Sequence, residues 1–239
     1  MYRTGTELGG SAPDLTVLLP CAGRGVRFGA PYPKELHRTA SGTSLIDYAL
    51  APILDLHAKG LRIRVVVVLT PEKLSTAAYL ARYSGRLDVA YTFQEERHGP
   101  ELAGAVTAGL PWCCGPAVLM LPDQKFDWSP AANPLEQAFG RLRYGAWAVI
   151  AAWTSDPDVL RNDGALCVGA GDPPVVEASV EKPSDPAGFN AAWVALACRE
   201  GELLRLPAVV GGEEGLLVGA SAVFVSGYRN VSTPELAHG

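Results

Sequence analysis

The chain has 239 residues, 48% hydrophobic and 19% charged, with a formal net charge of −5. Apolar content on that scale supports a sizeable core and excludes general disorder, and a mildly acidic balance lacks the cations that sequence-independent contact with DNA or RNA phosphates needs. The 26 glycines and 19 prolines follow no fixed period, which excludes collagen, and apolar runs such as residues 65–69 are strand-length, far short of the roughly 20 residues of a membrane helix. Residues 1–14 are small, polar and glycine-rich; they read as a flexible tail with no apolar stretch of the secretory-signal kind.

Residues 15–19 read as a buried strand stopping at Pro20, followed by the glycine-rich turn Cys21-Ala22-Gly23-Arg24-Gly25. After a proline-rich loop, Ser44-Leu45-Ile46-Asp47 has the pattern of a capping box and predicts a helix to about Leu56. Residues 63–69 predict a second, valine-rich strand. Thr70-Pro71-Glu72 predicts a helix start, with threonine as cap and proline in the first turn. Residues 87–93 predict a third strand, 102–110 a short helix, 117–121 a fourth strand ending at Pro122-Asp123, and 146–152 a fifth. Residues 175–180 and 193–197 add less regular strands. Continuous apolar strands alternating with helices predict an α/β fold: a doubly wound, mostly parallel sheet covered on both faces. The part after residue 153 is expected to extend that sheet and form a small lobe over its C-terminal edge. With no internal repeat and no long linker, residues 15–239 read as a single domain.

The five cysteines, Cys21, Cys113, Cys114, Cys167 and Cys198, form no CxxC pair, and histidine is scarce. That argues against zinc and for free thiols in a reducing, cytoplasmic compartment.

A strand followed by Gly23-Arg24-Gly25-Val26-Arg27-Phe28 is the first chemical signal, because small residues let backbone N–H groups approach phosphate. A dinucleotide fingerprint needs a third glycine where Phe28 stands, and a Walker A loop needs Gly-Lys-Ser/Thr, which is absent. A third reading makes Arg27 and Lys34 polyphosphate ligands on this loop. A plain tight turn with solvated charges is the competing structural reading.

Pro20-Cys21-Ala22-Gly23-Arg24-Gly25-Val26-Arg27-Phe28 with Pro33-Lys34-Glu35-Leu36 resembles the signature of the sugar-1-phosphate nucleotidylyltransferases, closest to the uridylyl- and thymidylyltransferase branches. Val26 stands where that family usually has threonine, and the short stretch to Lys34 is nearer to the methylerythritol-phosphate cytidylyltransferases. The resemblance implies a Rossmann-like nucleotidyltransferase fold with a sugar-binding lobe. It also implies that the loop from Cys21 to Gly25 wraps a nucleoside triphosphate whose phosphates Arg27 and Lys34 hold.

Later motifs follow in the same order. Gln94 and Gly99 are similar to the family's base-reading Gln and Gly; an amide offers donor and acceptor to a uracil or thymine edge. Asp123, directly after an apolar strand, matches the metal-binding Asp, and Mg²⁺ takes such hard oxygens together with substrate phosphates. Asp127 and Lys125 read as solvated loop residues. Glu181-Lys182-Pro183 matches the family's Glu-Lys-Pro, implying Glu181 on sugar hydroxyls and Lys182 on the sugar phosphate, with Gly164 letting the sugar pass close to the backbone. Tyr228-Arg229-Asn230-Val231-Ser232-Thr233-Pro234-Glu235 resembles Trp-x-Asp-Val-Gly-Thr-Pro-Glu, whose Asp is the second metal ligand; here it is Asn230, neutral, and Ser232 replaces the Gly.

The resemblance therefore implies a Mg²⁺-dependent enzyme that moves a nucleoside monophosphate from a nucleoside triphosphate, UTP or dTTP first, to a sugar 1-phosphate. Arg27, Lys34, Asp123 and Lys182 would be catalytic, Asp123 and Asn230 would hold the metal, and no nucleic acid or membrane partner is expected. Three alternatives stay open: a cytidylyltransferase, favoured by the short loop and by Ala105-Val106-Thr107-Ala108-Gly109-Leu110; a non-catalytic nucleotide-binding homologue, favoured by Asn230; and, more distantly, a nicotinamide-dependent oxidoreductase. The oligomeric state is also open, a homo-oligomer included.

Overall fold

The computed structural model describes residues 12–26 and 28–237. The tail expected over residues 1–14 lies mostly outside them. Asp14, at its end, is tied down: its carboxylate takes the Arg62 guanidinium and backbone N–H, which hold it well below its usual range, at about 2.

In chain order the elements are β1 (Leu15–Pro20), α1 (Leu45–Ala58), β2 (Ile63–Leu69), α2 (Leu74–Leu80), β3 (Asp88–Phe93), α3 (Glu101–Gly109), β4 (Ala117–Met120), β5 (Gln124–Asp127) and α4 (Pro134–Arg141). They continue with β6 (Trp147–Trp153), α5 (Pro157–Asn162), β7 (Gly164–Val168), β8 (Val176–Glu181), β9 (Ala191–Cys198), α6 (Leu206–Val210) and β10 (Ser221–Asn230). The main path of the sheet runs β3-β2-β1-β4-β9-β6-β10-β5. Strands β3, β2, β1 and β4 are parallel, as are β6 and β10. Between those two parallel groups β9 runs antiparallel to both β4 and β6, and β5 closes the far side antiparallel to β10. The β7–β8 hairpin branches off β9 as the lobe.

The strands run without alternation because both sheet faces are covered. One face packs Ile46, Leu50 and Ile53 of α1 and Leu135 of α4 against Leu19, Val67 and Ile150. The other packs Val106 of α3 and Leu206 and Val210 of α6 against Leu18, Val66 and Leu119. All five cysteines are free thiols, and no helix among the described residues is long and apolar enough to cross a membrane.

Three local expectations differ. Ser44 caps α1 only by position, because its hydroxyl meets the Tyr79 hydroxyl at 2.8 Å while Asp47 accepts from Tyr79 and Tyr83. The capping box is given up for a tertiary tyrosine cluster. Residues 71–73 form a 3-10 turn, and the α-helix starts only at Leu74. Asp127 and Lys125, expected in a loop, belong to β5.

Candidate active site

The candidate residues gather along the C-terminal edge of the parallel strands, where ligands of open α/β sheets bind. Past β1, Cys21 N–H donates to the Val68 carbonyl (2.8 Å), keeping the chain on the sheet before it turns. Gly25 and Gly29 take φ of 62° and 65°, a left-handed backbone that side chains resist, and Phe28 N–H closes the turn on the Gly25 carbonyl (2.9 Å). Gly23 has open space around it and Arg24 is exposed. The side chains of Cys21 and Ala22 are buried in the core, and burial pushes the Cys21 thiol up, so neither side chain is open to a ligand. Arg27 lies outside the described residues.

The loop is anchored one turn later. Residues 34–36 form a 3-10 turn in which consecutive side chains point apart. Glu35 turns inward, fully buried, and accepts from Lys73 Nζ (2.9 Å) and Thr76 Oγ1 (2.8 Å). Lys34 turns outward along the edge, and its Nζ lies 2.6 Å from Asp123 Oδ2. The residue expected on triphosphate and the residue expected on metal thus meet directly, with Asp123 partly open to solvent.

Gln94 follows β3, its backbone N–H bonded to the Leu69 carbonyl (2.8 Å). Its Nε2 donates to the carbonyls of Gly99 (2.8 Å) and Glu101 (3.1 Å). The amide donor expected at a base edge is thereby spent on the 99–101 loop, leaving Oε1. Gly104 of α3, absent from the sequence-based candidates, backs this arrangement: a Cβ there would strike the Gly99 carbonyl and Gln94 Nε2.

The opposite end of the edge is acidic and densely bonded. Asn230, at the end of β10, pairs across from Gln124, and Val231 N–H donates to the Asp123 carbonyl (3.0 Å), so residues 230 and 123 flank one point. Behind Asn230 lies Asp163, which the motifs did not reveal. Asp163 Oδ1 accepts from Asn230 Nδ2 (2.5 Å) and Oδ2 from the Tyr228 hydroxyl (2.8 Å). Tyr228 in turn accepts from Gln124 Nε2 (2.9 Å). Burial pushes the Asp163 carboxyl up, opposed by those two donors. Burial and the nearby carboxylates push the Tyr228 phenol higher still, so it stays a donor.

Glu181 ends β8 opposite Gly164. It accepts from Trp193 Nε1 (3.2 Å), and burial raises its carboxyl despite that bond. A Cβ on Gly164 would run into the Trp193 indole and come within 2.6 Å of Glu181 Oε2, so glycine is demanded there by protein packing. Lys182 is exposed, holds a left-handed φ of 50°, and its N–H donates to the Asp163 carbonyl (3.2 Å). A side chain held in that region marks a backbone fixed by its surroundings. The structure thus brings Lys34, Asp123, Asn230 and, through Asp163, Lys182 to one edge; Gln94 and Gly99 form a separate cluster beside β3.

No family model and no curated protein matches this chain. Solved structures do. A putative glucose-1-phosphate thymidylyltransferase from Bacillus anthracis, in complex with a sucrose, is similar with a TM-score of 0.70 at 14% identity, covering 92% of this chain and 90% of that one. UTP-bound UGPase from Acinetobacter baumannii is similar with a TM-score of 0.69 at 16% identity, covering 93% and 90%. A UDP-glucose pyrophosphorylase complexed with UDP-glucose is similar with a TM-score of 0.69 at 16% identity, covering 93% and 95%. The chain therefore has the Rossmann-like fold of sugar-phosphate nucleotidyltransferases over nearly its full described length.

Proposed function

We propose that the chain is a Mg²⁺-dependent nucleotidylyltransferase acting on a sugar 1-phosphate, with UTP or dTTP as donor. The observation that carries this reading is the Lys34–Asp123 contact of 2.6 Å, which joins the glycine loop to the end of β4 on the ligand edge of this fold.

The donor set suits Mg²⁺. Asp123 and Asn230 offer hard oxygens at one point, and Gln124 beside them carries a buried Oε1 with no hydrogen-bond partner. Among the described residues no three His, Cys, Asp or Glu side chains form a metal cage. One carboxylate sharing the ion with substrate phosphates is the usual Mg²⁺ arrangement. When bound, the ion would supply charge neutralisation across the phosphates.

The chain's own residues do the positioning. Lys34 would leave Asp123 for triphosphate oxygens, with the glycine turn supplying backbone N–H groups. Lys182, held by its backbone to Asp163, would orient the sugar phosphate, and Glu181 would accept sugar hydroxyls. The sugar-phosphate oxygen attacks the α-phosphorus in line, and the bond to pyrophosphate breaks with its electron pair leaving on pyrophosphate.

The test is pyrophosphate release from UTP, dTTP and CTP across a panel of sugar 1-phosphates with Mg²⁺. Release with UTP or dTTP and a sugar 1-phosphate is expected. Release with CTP alone moves the assignment to a cytidylyltransferase, a switch the single free oxygen of Gln94 permits, since it accepts equally from a uracil N–H or a cytosine amine. Silence across the panel, with the nucleotide bound, supports the non-catalytic homologue.

A further inference from the structure

Residue 230 is a neutral amide where the resembling motif carries a carboxylate, yet the negative charge has not left the site. It stands one residue before β7, on Asp163, whose Oδ1 accepts from the Asn230 amide at 2.5 Å. We propose that Asp163 restores at the cation-binding edge the charge that Asn230 lacks, acting through the Asn230 side chain as its positioning and polarising residue. This rests on the reading of the edge as a Mg²⁺ site.

The geometry supports the assignment in three ways. An amide is planar, so an Nδ2 aimed at Asp163 turns Oδ1 away from it. The backbone brings residues 230 and 123 together, through the Asn230–Gln124 pairing and the Val231–Asp123 bond of 3.0 Å, so that an oxygen turned from Asp163 is available to this edge. Second, an N–H donating to a carboxylate loads its own carbonyl oxygen with charge, as the outer partners of metal ligands do. Third, Asp163 is fixed: the Tyr228 hydroxyl occupies its other oxygen, Gln124 holds Tyr228, and the Asp163 carbonyl accepts from Lys182. Both carboxylate oxygens accept, as those of an ionised acid do. A neutral asparagine at 163 would satisfy one donor on its oxygen at far lower burial cost. What the carboxylate adds over it is a second acceptor and a negative charge, and the exchange variant below separates the two.

The same contact explains why Asn230→Asp alone is the wrong repair: it sets two carboxylates at hydrogen-bond distance. The informative variant is the exchange Asp163→Asn/Asn230→Asp, which keeps one acid, one amide and the pair between them. The test measures Mn²⁺ affinity by EPR on wild type, Asp163→Asn and the exchange, with folding checked by thermal melting. We expect Asp163→Asn to weaken Mn²⁺ binding about tenfold, in the range for outer partners of metal ligands. The exchange should return it to within about threefold of wild type. Wild-type affinity in Asp163→Asn, an exchange no tighter than Asp163→Asn, or no Mn²⁺ binding by the wild type each overturns the proposal. Where Asp163→Asn fails to fold, a folded exchange that binds like wild type supports it and a folded exchange that does not bind overturns it. Because Mn²⁺ affinity is read without turnover, a silent pyrophosphate assay would remove the nucleotidylyltransferase reading and leave this result standing.

Discussion

The two ends of the ligand edge are built on opposite principles. The glycine-loop end is cationic and open, with Arg24 in solvent, two left-handed glycines and, as its buried charged anchor, Glu35. The end around Asp163 is acidic and closed: Gln124, Tyr228, Asp163 and Asn230 form an unbroken chain of hydrogen bonds across β5, β10 and the junction of α5 with β7. On the function proposed above, a loop that closes around a flexible polyphosphate would keep few internal bonds, whereas groups that hold a small hard cation would gain from being fixed beforehand. Lys34 links the two, parked on Asp123.

The contrast is broken most severely at the anchor. Glu35→Ala leaves Lys73 buried without its partner, and losing one member of such a pair costs about 3–5 kcal/mol. For a chain of this size that is a fall of about 10 °C in Tm, measured by thermal melting, with activity lost alongside because Lys34 is set by the same turn. Next is Lys34→Ala, expected to lower kcat/KM about a hundredfold, the loss typical of a removed charge-stabilising group. Its Tm should scarcely move, since the pair with Asp123 is partly exposed. A matching fall in Tm would show that Lys34 belongs to the scaffold and not to the open end.

On the closed end, Gly164→Ala places a methyl against the Trp193 indole and Glu181. Overpacking of this kind costs about 1–3 kcal/mol, visible in urea unfolding, and it should raise the KM for the sugar phosphate more than that for the nucleotide. The smallest effect is the pH dependence of Glu181→Gln. Burial raises the folded Glu181 carboxyl above its unfolded value. Both states are protonated at low pH and no penalty is felt there. As pH rises from the unfolded value through the raised folded one, the wild type pays for ionising a buried acid. Relative to wild type, the variant should gain stability over that window and hold the gain at neutral pH, by a Tm difference on the order of 1 °C. A difference that is flat with pH would mean that Glu181 is not destabilised by its burial.

The sequence showed the open end more clearly than the closed one, for physical reasons. A glycine turn after an apolar strand, and an aspartate at a strand end, are local patterns, so Lys34 and Asp123 stood out, as did the parallel character of the first four strands. Asp163 carries no local mark. It precedes a glycine in a short strand, and its partners lie some 65 residues on, at Tyr228 and Asn230. The burial of Glu35 has no local mark either, since its partners come from the distant 3-10 turn that holds Lys73 and from Thr76 of α2. Strand β5, with the sequence QKFD, is too short and polar to announce itself. At Ser44 and Asp47 the local pattern misled, because three tyrosine contacts outcompeted the helix cap.

Strand β9 has a consequence for how the molecule assembles in time. All eight of its residues are buried, and it is the sole bridge on the main path between β4 and β6. A chain emerging from the ribosome can pair β1 to β4 early, but β4 then presents an unpaired apolar flank until residues 191–198 arrive. The β4–β9 and β6–β9 pairings therefore close the molecule late, from its C-terminal third. Early chains lacking that wedge expose a sticky border of the kind that recruits neighbouring chains. A chain truncated before residue 191 is therefore expected to aggregate more readily than the full chain.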